Sequence, residues 1–143
     1  MKLTVRSCRG VCVFAVAALL ACPRLHAGIA DDPEVKALQE KVEAAENQTN
    51  LNLTSKELCD FLDVRLKALE GEIRQKLEGD AVALFDKSAA AWRNYRTAQV
   101  KLAGSFYEGG SIQPLVHNQA YSDLTETHID ELTKFRDEAF EEH

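Results

Sequence analysis

Beyond position 22 the sequence contains a single cysteine. Cys8, Cys12 and Cys22 lie near the amino terminus, and Cys59 stands alone after them. A folded part with one cysteine has no internal disulfide, so packing must hold it together. Cys59 lies at the edge of an apolar helical stripe, which predicts a small, partly buried side chain. An intermolecular disulfide is the alternative.

The first 30 residues contain no acidic side chain, and their apolar run is short. Lys2, Arg6 and Arg9 make this end positive, and the apolar run occupies positions 11–22. A run of that length makes about 18 Å of helix, too short for the roughly 30 Å hydrocarbon core of a bilayer. The pattern predicts a cleavable secretory signal over residues 1–27 rather than a transmembrane anchor.

Two processing sites are compatible with this signal. Cleavage after Ala27 would release the protein into the periplasm or the extracellular medium. The competing pattern is Leu19-Leu20-Ala21-Cys22, which resembles a lipoprotein box with Cys22 as the lipidated residue. In that case the protein would be a lipid-anchored envelope protein, and only then is contact with a membrane expected.

Without residues 1–27 the chain lacks balancing positive charge. That segment holds four of the 17 basic residues and none of the 23 acidic ones, so the remaining 116 residues carry a formal charge of −10. Such a surface repels nucleic acid and anionic lipid and attracts cationic partners. The length suits one domain with one core.

No segment alternates like a half-buried strand, whereas four segments repeat with a helical period. Residues 28–53 are predicted to form a short leading helix and a polar linker. The main domain is expected at residues 54–143. Its first helix is predicted to begin at a capping box formed by Thr54 and Glu57. The sequence therefore predicts an all-α antiparallel bundle of three long helices plus a shorter leading one.

The third predicted helix carries aromatic residues and a basic residue on one side. Phe85, Trp92 and Tyr95 are expected to be core anchors, with Leu102 on the same side and Arg96 within the same arc. An unpaired charge on a buried face costs roughly 3–5 kcal/mol, so Arg96 requires a partner. The candidate carboxylates are Asp60, Asp63 and Glu126.

The fourth predicted helix starts at Pro114 and has one apolar seam. The seam consists of His117, Tyr121, Leu124, His128, Leu132, Phe135 and Ala139. Its two histidines are eleven residues apart, about 16 Å along a helix, so they cannot share one metal ion. They are expected to be packed core histidines, and neither a metal nor a cofactor is predicted.

Several motifs occur in a characteristic order. They are Trp92-Arg93-Asn94-Tyr95-Arg96, Gly109-Gly110-Ser111-Ile112, Leu124-Thr125 and Glu131-Leu132. This order resembles the N-terminal domain family of LprI-type lysozyme inhibitors over about residues 54–135. The resemblance implies a periplasmic or surface location and inhibition of lysozyme. The chain departs from the family at Val100 and Ala120, where a cysteine is usual, and at His128, where an arginine is common.

The loop after the third helix is the predicted recognition site. It spans residues 104–113, and its partner-binding candidates are Phe106, Tyr107, Glu108, Gly109, Gly110 and Ser111. Because no nucleophile, base and acid are arranged for catalysis, an enzyme is not expected. Two functions stay open: a module that binds and blocks lysozyme or another basic cell-wall hydrolase, and a structural or adaptor bundle of the envelope.

Overall fold

The computed structural model describes residues 28–140, and the predicted signal at residues 1–27 lies outside the described residues. A 3-10 turn at Ile29–Asp31 precedes four helices: α1 (Pro33–Glu43), α2 (Gln48–Lys76), α3 (Asp80–Ser105) and α4 (Gln113–Phe140). No strand occurs between residues 28 and 140. The prediction of an all-α fold with one short and three long helices is confirmed.

Helix α1 begins at two residues that favour a helix start, Asp32 and Pro33. The Asp32 side chain accepts a hydrogen bond from the amide of Glu34 at 2.9 Å, and Pro33 occupies the first helical position. Proline fits there because its missing N–H has no partner within a helix. Val35 is fully buried, which stabilises the docking of α1 by about 1.5–3 kcal/mol.

The predicted linker and capping box before α2 are wrong. Helix α2 begins at Gln48, and the Asn47 side chain accepts a hydrogen bond from the amide of Asn50 at 2.9 Å. The Thr54 hydroxyl instead donates to the carbonyl of Asn50 at 2.8 Å, inside the helix. Asn47 is an effective cap because its short amide reaches the unpaired amides of the first turn. Thr54 is tolerated within the helix because its hydroxyl finds an acceptor in the preceding turn.

Successive helices run antiparallel, so α2 and α4 are parallel to each other. Their contacts advance together along both chains: Cys59 meets Asn118 and Arg136 meets Glu72. Helix α1 packs against one side of this pair and α3 against the other. The core between them contains Val35, Leu58, Leu62, Leu66, Leu69, Ile73 and Ile129.

Only part of the predicted α3 stripe faces the core. Phe85 and Trp92 pack against the core, as predicted. Tyr95 and Leu102 are 52% and 57% exposed, so their prediction as inward-facing residues is wrong. They lie about 100–120° around the helix from Arg96, and Arg96 is buried. The arc that holds the charge faces inward, and the flanking apolar residues face outward.

The end of the predicted α4 seam is also more open than expected. Phe135 is 42% exposed and Ala139 is exposed. The Phe135 ring makes an edge-to-face contact with Phe140, with 6.1 Å between the ring centres. Beyond Leu132, therefore, the predicted seam leaves the core, and Phe135 packs instead against Phe140, which itself contacts the core.

Two glycines within helices give a direct test of this packing. A methyl group on Gly71 would meet nothing within 4 Å, whereas on Gly104 it would lie 1.8 Å from His117 Nε2. We expect Gly71→Ala to raise the free energy of unfolding by about 0.5–1 kcal/mol, because alanine restricts the unfolded chain. Gly104→Ala should lower it by about 1–3 kcal/mol, because His117 must move.

Urea denaturation of the two variants measures both changes. Each substitution adds the same methyl group to a helix, so each serves as the control for the other. If Gly104→Ala were as stable as Gly71→Ala, the close approach of α3 and α4 at Gly104 would be wrong.

Candidate functional site

A buried arginine lies where α3 faces both α2 and α4. Arg96 is only 8% exposed. Its Nη1 donates to Asp63 Oδ1 and to the Thr125 hydroxyl, each at 2.9 Å. Of the three predicted candidates, Asp63 is therefore the carboxylate partner. A charge-assisted pair of this kind offsets the desolvation of both groups.

The other two candidates have different partners. Asp60 accepts hydrogen bonds from Lys56 on the exposed side of α2. Glu126 accepts a hydrogen bond of 3.4 Å from Gln39 of α1. Both carboxylates therefore lie away from Arg96, and the sequence spacing alone could not exclude them.

Two aromatic rings enclose the Arg96 guanidinium. Its central carbon lies 4.6 Å from the ring centre of Trp92 and 3.9 Å from that of Tyr121. Both distances favour attraction between the cation and the ring faces. The Tyr121 hydroxyl donates to Asp63 Oδ2 at 2.6 Å, and burial together with this bond raises the pKa of Tyr121. Asp63 is thus held by two donors from different helices.

His128 stacks on the same tryptophan. The ring centres of Trp92 and His128 are 4.0 Å apart, and the ring planes differ by 10°. The His128 side chain is 12% exposed, and its Nδ1 lies 3.5 Å from the exposed carboxylate of Glu131. Burial lowers the pKa of His128, and Glu131 only partly opposes this effect. The structure therefore favours a neutral, packed histidine, as the sequence predicts.

Cys59 belongs to a separate polar contact between α2 and α4. It is the free cysteine within residues 28–140, and it is buried. Its sulfur lies 3.3 Å from both the Asn118 carbonyl and the Ser122 hydroxyl. Burial raises the pKa of this thiol, which keeps it protonated and weakly nucleophilic. The thiol therefore has a packing role, which confirms the prediction for this residue.

The predicted recognition loop is ordered by its own hydrogen bonds. Amides of Tyr107, Gly110 and Gln113 each donate to the carbonyl three residues earlier, at 3.0–3.1 Å. The Gln113 side chain accepts from the Gly109 amide at 3.2 Å and donates to the Gly104 carbonyl at 3.4 Å. Gly109 has φ +74°, a conformation that glycine adopts without a steric penalty. The 106–112 loop is therefore built as a series of tight turns.

This loop presents apolar side chains to solvent. Phe106 is 81% exposed, Tyr107 46% and Ile112 41%. Glu108 and Ser111 are exposed between them. The Ser111 carbonyl also accepts a 3.3 Å hydrogen bond from Asn52 of α2. All six predicted partner-binding residues therefore lie together on one exposed turn, attached to the beginning of α2.

A groove of about 570 Å³ opens between α1, α2 and α4, and we call it the α1–α2–α4 groove. Its apolar lining consists of Val42, Ala45, Leu51, Leu58 and Leu115. Its acidic lining consists of Glu43, Asp123 and Glu126. Burial raises the pKa of both Asp123 and Glu126, and the Asp123 charge raises that of Glu126 further. Sequence analysis missed this groove because it depends on how three helices pack.

Across residues 28–140 no group of three or more histidine, cysteine or carboxylate side chains is placed to hold a metal ion. None of the helices in this range is long and apolar enough to cross a membrane. What the surface offers is an exposed aromatic turn and an acidic groove, which are suited to contact with another molecule.

A family comparison identifies this architecture. The model of the family described as "Lysozyme inhibitor LprI" matches residues 38–132. The chain belongs to the LprI lysozyme inhibitor family. The match includes the second half of α1, all of α2 and α3, the 106–112 loop and α4 as far as Leu132. No curated protein and no solved structure matches the chain.

The geometry shows where the motif at residues 92–96 of this LprI protein lies in the bundle. Trp92 and Arg96 form the buried centre, and His128 stacks beside them. Tyr95 lies on the outer side of α3 and takes no part in that centre. The five-residue motif at 92–96 therefore combines two inward-facing residues, Trp92 and Arg96, with three exposed ones.

His128 should make the stability of this LprI protein depend on pH. Because its pKa is lower in the fold than in the unfolded chain, the unfolded chain binds more protons near pH 6.5 and below. We expect the stability contributed by neutral His128 to be fully present at pH 7.5 and to decrease as pH falls below about 6.5. Thermal midpoints of the wild type and His128→Gln at pH 7.5 and 5.5 measure this contribution.

The comparison uses the difference between the two proteins, because the acidic groups respond to pH in both. The wild type should lose more of its thermal midpoint on acidification than His128→Gln does. Equal losses would show that His128 keeps the same pKa in the folded and unfolded chain.

Proposed function

We propose that this LprI family member binds and inhibits a basic lysozyme-type cell-wall hydrolase. The observation that carries the proposal is the 106–112 loop, which holds Phe106, Tyr107 and Ile112 exposed on a turn fixed by internal hydrogen bonds. Exposed aromatic residues in a rigid setting are common anchors at protein interfaces. A preordered loop also loses less conformational entropy on binding than a flexible one.

The charge of the chain supports a basic partner. Residues 28–143 carry a formal charge of −10, which accelerates the approach of a cationic protein at low salt. In this proposal Phe106 and Tyr107 enter the glycan-binding cleft of the hydrolase, and Glu108 meets its cationic rim. The protein acts by occupying that cleft and has no catalytic role.

The proposed location follows from the predicted secretory signal. Residues 1–27 direct export, and the mature protein works in the periplasm or outside the cell, where cell-wall hydrolases act. Lipidation at Cys22 is the alternative, and it would hold the same domain at the membrane surface. In either case the bundle itself meets the hydrolase.

An adaptor function is the second candidate, because α3 has an unpartnered outer stripe. Leu84, Tyr95 and Leu102 are 67%, 52% and 57% exposed along that helix; we call these three residues the outer α3 stripe. Their positions would suit packing against another helix of the envelope. An adaptor would depend on this stripe, whereas the inhibitor depends on the loop.

Substitutions in the loop and in the stripe distinguish the two functions. We expect Phe106→Ala and Tyr107→Ala to weaken inhibition of a basic lysozyme about 5- to 30-fold, equivalent to about 1–2 kcal/mol at an interface anchor. Leu84→Ala is the matched control, because it removes a similarly exposed apolar side chain from α3. It should leave inhibition within about twofold of the wild type, within the roughly 0.5 kcal/mol expected of a surface change.

The assay measures clearance of a peptidoglycan suspension by lysozyme with near-stoichiometric amounts of the protein. Inhibition should also weaken as salt is raised from 20 to about 150 mM, where the screening length falls to roughly 8 Å. Absence of inhibition and binding with every lysozyme type at low salt would contradict the proposal and favour the adaptor.

A further inference from the structure

The α1–α2–α4 groove has the composition of a receptor for a long basic side chain. Its apolar lining comes from all three helices, and Leu51 and Leu115 lie near the beginnings of α2 and α4, next to the loop. Its acidic groups come from both sides, with Glu43 on α1 and Asp123 and Glu126 on α4. No lysine or arginine within residues 28–140 lines this groove.

Within the described residues, the acidic groups of the groove lack cationic partners. The Glu126 carboxylate is contacted by the neutral amide of Gln39. No lysine or arginine within residues 28–140 forms an ion pair with Asp123 or Glu43. Carboxylates at other helix contacts, such as Asp63 and Glu70, are instead paired with arginines. The negative charge of the groove is therefore available to a cation from outside.

We propose that the α1–α2–α4 groove receives a lysine or arginine side chain of the basic hydrolase, with the cation at Asp123 and Glu126. This inference rests on the proposed function and locates a second contact for the same partner. Long basic side chains lay their methylene groups along apolar surface while the charged head remains at polar groups. The apolar and the acidic lining residues of the groove fit those two parts.

The groove and the 106–112 loop form one continuous surface. Ser111 of the loop accepts a hydrogen bond from Asn52 near the beginning of α2, and Leu51 beside it lines the groove. Leu115 lines the groove from α4, three residues after Ile112 of the loop. A partner seated on the exposed aromatic residues would therefore reach the groove without moving the helices.

The two groove carboxylates, Asp123 and Glu126, also affect the stability of the free protein. Their charged forms are disfavoured, since the pKa of each is raised by burial. Neutral isosteres should therefore leave the thermal midpoint unchanged or raise it. A binding defect in such a variant would then reflect the lost contact with the partner.

The test compares two doubly substituted proteins that differ from the wild type by the same charge. Asp123→Asn with Glu126→Gln neutralises the groove. Glu78→Gln with Glu138→Gln neutralises two exposed carboxylates near the opposite end of the bundle. Dissociation constants and rate constants for a basic lysozyme are measured at 20 and 150 mM salt.

We expect the groove variant to bind at least tenfold more weakly, mainly through faster dissociation, because a seated charge pair is lost. The control variant should lose less than threefold, mainly through slower association. Equal losses in both variants would overturn the groove inference and leave the proposed function standing. If wild-type protein binds no lysozyme, both fall.

Chemical coupling of the wild-type complex gives a second measurement that does not depend on variants. A carbodiimide joins carboxylates to amines that touch them. The expected product links Asp123 or Glu126 to a lysine of the lysozyme, as identified by peptide mass spectrometry. An arginine forms no such link, but it would still shield both carboxylates from coupling to an added small amine. Links confined to carboxylates elsewhere on the bundle, with Asp123 and Glu126 labelled by that amine as readily in the complex as in the free protein, would overturn the inference.

Discussion

The burial of Arg96 constrains the position of α3 more than any other interaction. Its guanidinium is removed from water and must contact Asp63 of α2 and Thr125 of α4 at the same time. Leaving such a charge without its partner would cost about 3–5 kcal/mol, so α3 cannot slide along the α2–α4 pair. Two further pairs between α2 and α3 occur at the same register: Arg93 with the buried Glu70, and Arg74 with Asp86 at the surface.

The position of the recognition loop follows from this register. Helix α3 ends at Ser105 and α4 begins at Gln113, so the intervening turn must lie at the end of the bundle where α2 starts. There Gln113 holds the turn closed. The contact between Gly104 and His117 brings α3 and α4 together just before it. The exposed aromatic residues are therefore carried by a rigid base rather than by a flexible connection.

Sequence reasoning predicted the helices and the need of Arg96 for a carboxylate, but it left the choice of Asp63 open. The choice depends on the rotation of α2, which the helical period does not set when several carboxylates share one helix. The start of α2 was also placed too late, at Thr54, because residues 47–53 are polar and resemble a turn, whereas Asn47 caps the helix. Tyr95 was misplaced because α3 has apolar residues on both its inner and outer sides.

The inferred partner surface unites the 106–112 loop and the α1–α2–α4 groove at one end of an acidic bundle. The most direct test is backbone amide chemical-shift mapping of the isotope-labelled protein during titration with a basic lysozyme at low salt. The largest shifts should fall within residues 104–113 and along the groove at residues 115–126. Shifts confined to Leu84, Tyr95 and Leu102 on the outer α3 stripe, or no shifts at all, would contradict it.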